Sequence, residues 1–128
     1  MKVVRQGVIL KTKRQRECVE FYREILGLDV LFEDAFLTCF ACGDGYLMIE
    51  PGPEETEDSP TANLVLRFNV ESVVDEKHRL QQLGVETHYA RFDWGEILTF
   101  EDPAGTKLEL KDSPAFERQL RPHSPTTT

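Results

Sequence analysis

Two glutamates stand where a carboxylate can do chemistry. Glu50 closes the stretch "YLMIEPG", and Glu109 lies within "TKLELKD". Both stretches alternate apolar and polar residues, so each reads as a strand with one apolar face, and each glutamate falls on the other face. Turned to water, such a side chain is ordinary. Turned to a cavity, it is a candidate metal ligand or general base. Two carboxylates in one cavity repel, and either one of them takes up a proton or nearby cations compensate. Lys11, Arg67 and Lys107 are the cations expected on the same faces. An Arg67–Glu109 pair would neutralise the charge and remove the reason for a metal.

The other reactive side chains point less clearly to chemistry. Cys39 and Cys42 have the C-x-x-C spacing, but they lie in "FLTCFACG". That stretch reads as a strand, and residues three apart on a strand point to opposite faces. With Cys18 the count is odd, which argues against a closed disulfide framework. Among the histidines, His78 falls in a helix and His123 in a polar tail. His88, in "VETHYA", is assigned to a central strand. It completes an iron-binding facial triad only if it points at both glutamates. The acidic run Glu54, Glu55, Glu57 and Asp58 belongs to the proline-rich linker "PGPEETEDSPTA" and reads as a solvated loop.

Positioning these residues takes a repeated set of elements. "VVRQGVILKTK" is a strand, and "QRECVEFYREILGLD" changes to helical spacing and ends at Gly27. "DVLFED", "FLTCFACG" and "YLMIEPG" follow as strands, with a hairpin expected at Asp44-Gly45. After the linker the order returns. "NLVLRFNV" is a strand, Ser72 caps a helix that ends at Gly84, and "VETHYA", "EILTFED" and "TKLELKD" are strands. A short helix is expected over 115–120. Leu26-Gly27-Leu28 is answered by Leu83-Gly84-Val85, and Glu50 by Glu109. The chain therefore reads as a duplicated βαβββ unit, α+β in class, with modules at 1–50 and 63–112, a linker at 51–62 and a tail at 113–128.

Composition narrows the function. The net charge of −8 and the lack of a basic face exclude a nucleic-acid binder. No stretch offers the ~18 apolar residues of a membrane span. The N-terminus has no long apolar region or cleavage site, so a cytoplasmic protein is expected.

With "FYREILGL" after an alternating strand and "EDPAGTKLEL" closing the second repeat, the sequence resembles the vicinal oxygen chelate superfamily: glyoxalase I, the bleomycin resistance proteins and the extradiol dioxygenases. The resemblance runs from about Val3 to Asp112. It implies curved mixed sheets around a concave cavity, with the repeat helices on the convex face. In metal-dependent members it implies a divalent ion held by residues of the first and last strands of each module. Glu50 and Glu109 match the carboxylate positions. The first-strand positions fall on Gly7, which has no side chain, and on Asn63, a poor substitute for imidazole at zinc or nickel. Gln6, one residue from Gly7, points to the opposite face unless a bulge turns it.

The inward surface is then expected to combine Ile9, Lys11, Tyr46 and Met48 with Asn63, Val65 and Arg67, and Trp94 is expected to cover a ligand. Apolar walls with a few polar groups suit a small molecule. The expected function is small-molecule binding by a homodimer without a tight transition-metal centre or other cofactor, and the acidic balance is compatible with a cationic ligand. The alternative is a lactoylglutathione lyase-like lyase, an isomerase or a dioxygenase. It would use one divalent ion (Zn, Ni, Fe, Mn or Mg) on Glu50 and Glu109, with Glu109 moving a proton.

Overall fold

The computed structural model of the chain describes residues 2–53 and 64–121. It is an α+β protein with two four-stranded mixed sheets, and it divides into two compact units. The first unit takes the described residues up to 53 together with Asp102–Thr106. The second takes Leu64–Glu101 and residues 107–121.

In the first unit, β1 (Gly7–Thr12) is followed by helix α1 (Gln15–Glu20), which continues as a π-helical turn over Phe21–Ile25. A single regular helix is what the sequence pattern suggests. The difference lies in the last turn, where the Leu26 N–H donates to the Phe21 carbonyl, a five-residue step. Gly27 ends the helix with φ +70°, a conformation that favours glycine. Strands β2 (Val30–Glu33), β3 (Thr38–Cys42) and β4 (Gly45–Pro51) complete the sheet in the order β1-β4-β3-β2, with β1 parallel to β4. One face carries Leu10, Phe40, Leu47 and Ile49, all buried, and Tyr22 packs on Phe40 from the helix.

The hairpin between β3 and β4 sits one residue earlier than Asp44-Gly45. Cys42 pairs with Gly45, so the turn is Gly43-Asp44, and Gly43 takes φ +54°. Gly45 is glycine for another reason: a Cβ there would lie 2.5 Å from the Gln6 carbonyl oxygen. The first unit also buries a polar pair. The Tyr22 hydroxyl donates to Asp102 Oδ2 at 2.7 Å, and Asp102 Oδ1 accepts from the backbone N–H groups of Ala104 and Thr106.

In the second unit, β5 (Val65–Val70), α2 (Val73–Gln82), β6 (His88–Phe92), β7 (Gly95–Glu101) and β8 (Lys107–Asp112) repeat the pattern, with sheet order β5-β8-β7-β6. Ser72 caps α2 by accepting from the Asp75 N–H at 3.1 Å. Leu66, Leu98, Phe100, Leu108 and Leu110 form the buried face, and Val73 and Leu80 of α2 are buried with them. Leu64 precedes β5 and is exposed, so it does not extend that face.

A third helix, α3 (Ser113–Leu120), begins where β8 ends, and the Asp112 carboxylate caps it by accepting from the Ala115 N–H. Ala115 packs against Gly95: a Cβ on Gly95 would lie 3.1 Å from the Ala115 Cβ and 3.0 Å from Lys111 Nζ. So α3 lies over one end of the polar face of the second sheet, whereas α2 packs against the apolar residues. Asn63, the acidic run at 54–58 and His123 lie outside the described residues.

Candidate functional site

Each unit presents a polar sheet face opposite its apolar one, and the register fixes the neighbours. In the first unit the pairs across β1 and β4 are Gly7 with Tyr46, Ile9 with Met48, and Lys11 with Glu50. Ile9 is exposed, and Tyr46, Met48 and Glu50 are half-buried. The ring of Tyr46 lies across Gly7 so closely that a Cβ on Gly7 would meet it at 2.1 Å. The aromatic ring thus fills the space that a longer first-strand side chain would need. Gly7 and Glu50 are also four residues apart along paired parallel strands, about 13 Å. They are too distant to share one ion.

Cys39 pairs with Met48 in the same sheet and is buried, and its thiol is pushed up in pKa by that burial. Cys42 is half-buried and is likewise pushed up by burial. Both thiols are free. Neither has the lowered pKa that a reactive thiolate needs.

In the second unit one cross-strand row reads Arg67, Glu109, Thr99, His88. Arg67 donates from Nε to Glu109 Oε1 at 2.6 Å, and its Nη2 reaches the same oxygen at 2.5 Å. Val65, on the same face, is exposed. His88 requires a correction: β6 is the edge strand of its sheet, not a central one. Its side chain is 76% exposed and stands 3.9 Å from Glu86. It shares a face with Glu109 but lies two strands away, about 10 Å, which is outside a common coordination sphere.

Trp94 sits in the two-residue turn between β6 and β7 and stacks on Phe92, ring centroids 4.7 Å apart and planes within 3°. Lys111 Nζ lies 4.2 Å from the Trp94 ring centroid and donates to the Trp94 carbonyl at 3.2 Å. Lys111 is completely buried. Its ammonium is depressed in pKa by burial and then by the nearby Arg67 charge, against the opposing pull of the Asp112 and Glu109 carboxylates. Sequence reasoning named Lys107 as the inward cation of β8 and passed over Lys111 and Phe92. The signal was present, since Lys107, Glu109 and Lys111 alternate onto one face.

A family model for the Glyoxalase/Bleomycin resistance protein/Dioxygenase superfamily matches residues 7–110. The chain belongs to that superfamily. No curated protein matches it. Solved structures of this superfamily's fold resemble it along most of its length. Lactoylglutathione lyase from Agrobacterium tumefaciens is 21% identical over 85% of this chain and 92% of its own, with a TM-score of 0.69. TnmS3, an antibiotic binding protein from Streptomyces sp. CB03234, is 23% identical over 87% and 96%, with a TM-score of 0.70. At these identities the likeness establishes the fold alone.

The superfamily's metal-dependent members raise the question of a metal here. Gly7 offers no donor, Glu109 is held by Arg67, and Glu50 stands opposite Lys11. Among the described residues, no three His, Cys, Asp or Glu side chains gather as a coordination set. These residues do not fit a divalent transition metal.

Proposed function

We propose that this superfamily member binds a small molecule on its polar sheet faces and does so without a tight transition-metal centre. The observation that carries the reading is the Arg67–Glu109 pair. A carboxylate needed as a ligand is already neutralised by a guanidinium on the neighbouring strand. Around that pair, exposed Val65 and Trp94 offer apolar contact beside polar groups, the composition of a ligand site. In the first unit Ile9, Lys11, Tyr46, Met48 and Glu50 form a face of similar composition. A homodimer belongs to the same proposal. Strand β2 is a sheet edge with Val30, Leu31 and Phe32 exposed in succession, and such an edge favours pairing with a second copy. Light scattering on the purified chain measures that directly.

The test of the metal-free reading is elemental analysis of untagged protein, followed by add-back of zinc, nickel, iron, manganese and magnesium. The expected result is metal well below one ion per chain and no change in thermal midpoint on add-back. Near-stoichiometric metal that is lost in Glu109→Gln would overturn it and favour the metal-dependent lyase, isomerase or dioxygenase reading.

A further inference from the structure

The polar face of the second unit carries one buried ammonium, Lys111, that no carboxylate among the described residues contacts directly, although Asp112 and Glu109 lie near it. Arg67 is bound to Glu109, and Lys107 stands opposite Glu101 in register. Lys111 stands between Asn69 and Ile97, neither of them charged. Its hydrogen-bond partner is the Trp94 carbonyl, its other close contact is the Trp94 ring, and it forms no ion pair among the described residues. The adjacent carboxylate, Asp112, is occupied elsewhere: Oδ1 accepts from the Glu96 N–H and Oδ2 from the Ala115 N–H.

An ammonium has three donors, and burying one without a counter-ion opposes folding. The fold nonetheless places Lys111 fully inside, under a tryptophan at a hairpin tip. A methionine of similar length would fill that space at no electrostatic cost. A feature that works against stability and sits beside an exposed aromatic stack is what a binding site leaves behind.

We propose that this face receives a small anion carrying a flat ring. The anionic head takes the unused donors of Lys111 as the Trp94 ring shifts aside. The ligand's ring packs against Phe92 and the displaced Trp94, residues that are 47% and 41% exposed. This inference rests on the binding reading above and adds the ligand's class. It departs from the cationic ligand suggested by the net charge of −8. At physiological ionic strength charges beyond about 8 Å are screened, so the local balance is set by Lys111 and Arg67 against Glu109 and Asp112, and of these only Lys111 has donors to spare.

Trp94 is the single tryptophan of the chain, so its fluorescence reports on this site alone. Para-nitrobenzoate, para-nitrobenzyl alcohol and para-nitrobenzylammonium share one quenching ring and differ in charge. The expected result is saturable quenching by the anion at a concentration about tenfold below that needed for the cation. Lys111→Met is expected to erase this preference and Lys111→Arg to retain it. Equal or better binding of the alcohol or the ammonium probe overturns the charge assignment and leaves small-molecule binding standing. An anion preference that persists in Lys111→Met overturns the role of Lys111. Absence of saturable quenching by all three probes overturns the site. The elemental analysis decides the metal-free reading separately.

Discussion

Both units bury a polar side chain, and they treat it in opposite ways. In the first, the Tyr22 hydroxyl meets the Asp102 carboxylate, and two backbone N–H groups complete that carboxylate's coordination. Each donor has an acceptor, and the group pins the β7–β8 turn. In the second, Lys111 is equally hidden, and it contacts a carbonyl and a ring directly while the Asp112 and Glu109 carboxylates stand only nearby. A satisfied buried network stabilises and specifies a fold, whereas a charge left short of partners weakens it. The first arrangement serves structure. The second costs stability, in keeping with the binding role proposed for it.

Removing Asp102 should break the first arrangement most severely. Asp102→Ala leaves the Tyr22 hydroxyl and the Ala104 and Thr106 N–H groups without their acceptor. It is expected to lower stability by about 3–5 kcal/mol in urea unfolding. Tyr22→Phe removes one of those bonds and should cost about 1–2 kcal/mol.

The same pair gives a pH signature. Burial, then the Asp102 carboxylate, holds the Tyr22 phenol protonated well above its usual range. The unfolded tyrosine releases its proton near pH 10, so the native state there binds more protons than the unfolded one. Tyr22's contribution is therefore intact below pH 10 and lost as pH rises past it. Alkaline titration of thermal midpoints should reveal that fall in the wild type and a smaller one in Tyr22→Phe.

Lys111 should behave inversely. Lys111→Met is expected to raise the thermal midpoint by a few degrees at neutral pH. The depressed folded pKa means that the unfolded chain binds the extra proton, so this contribution to stability rises with pH toward the ordinary lysine range. That rise should vanish in the variant. A large loss of stability in Lys111→Met would erase the contrast between the two units.

The smallest effect is expected at Glu109→Gln. The Arg67–Glu109 side chains are 41% and 18% exposed, so the change should stay within about 1 kcal/mol in the same unfolding assay.

The alternation in "LVLRFNV" and "TKLELKD" was enough to put Arg67 and Glu109 on one face, since a strand's two-residue period is a local property. Their direct pairing was legible too, as a consequence of opposite charges on inward faces. The edge position of His88 was not, because strand order depends on which segments pair across long separations. The turn at Gly43-Asp44 escaped by one residue, as three glycine and aspartate residues in a row leave the register open. Lys111 was visible as a member of the right face. What made it notable, burial beneath Trp94 and α3, has no signature in the residues around it.

The sequence by itself determined the repeated βαβββ order, the glycine-ended helices and the apolar and polar faces of each sheet. These follow from periodicity and from backbone preferences that act within a few residues. Only the tertiary structure decided that Tyr46 fills the space over Gly7 and that Lys111 is buried beside Trp94 with no ion pair among the described residues. Each of those facts is set by what another strand or helix brings alongside, and burial and partners are properties of the assembled packing.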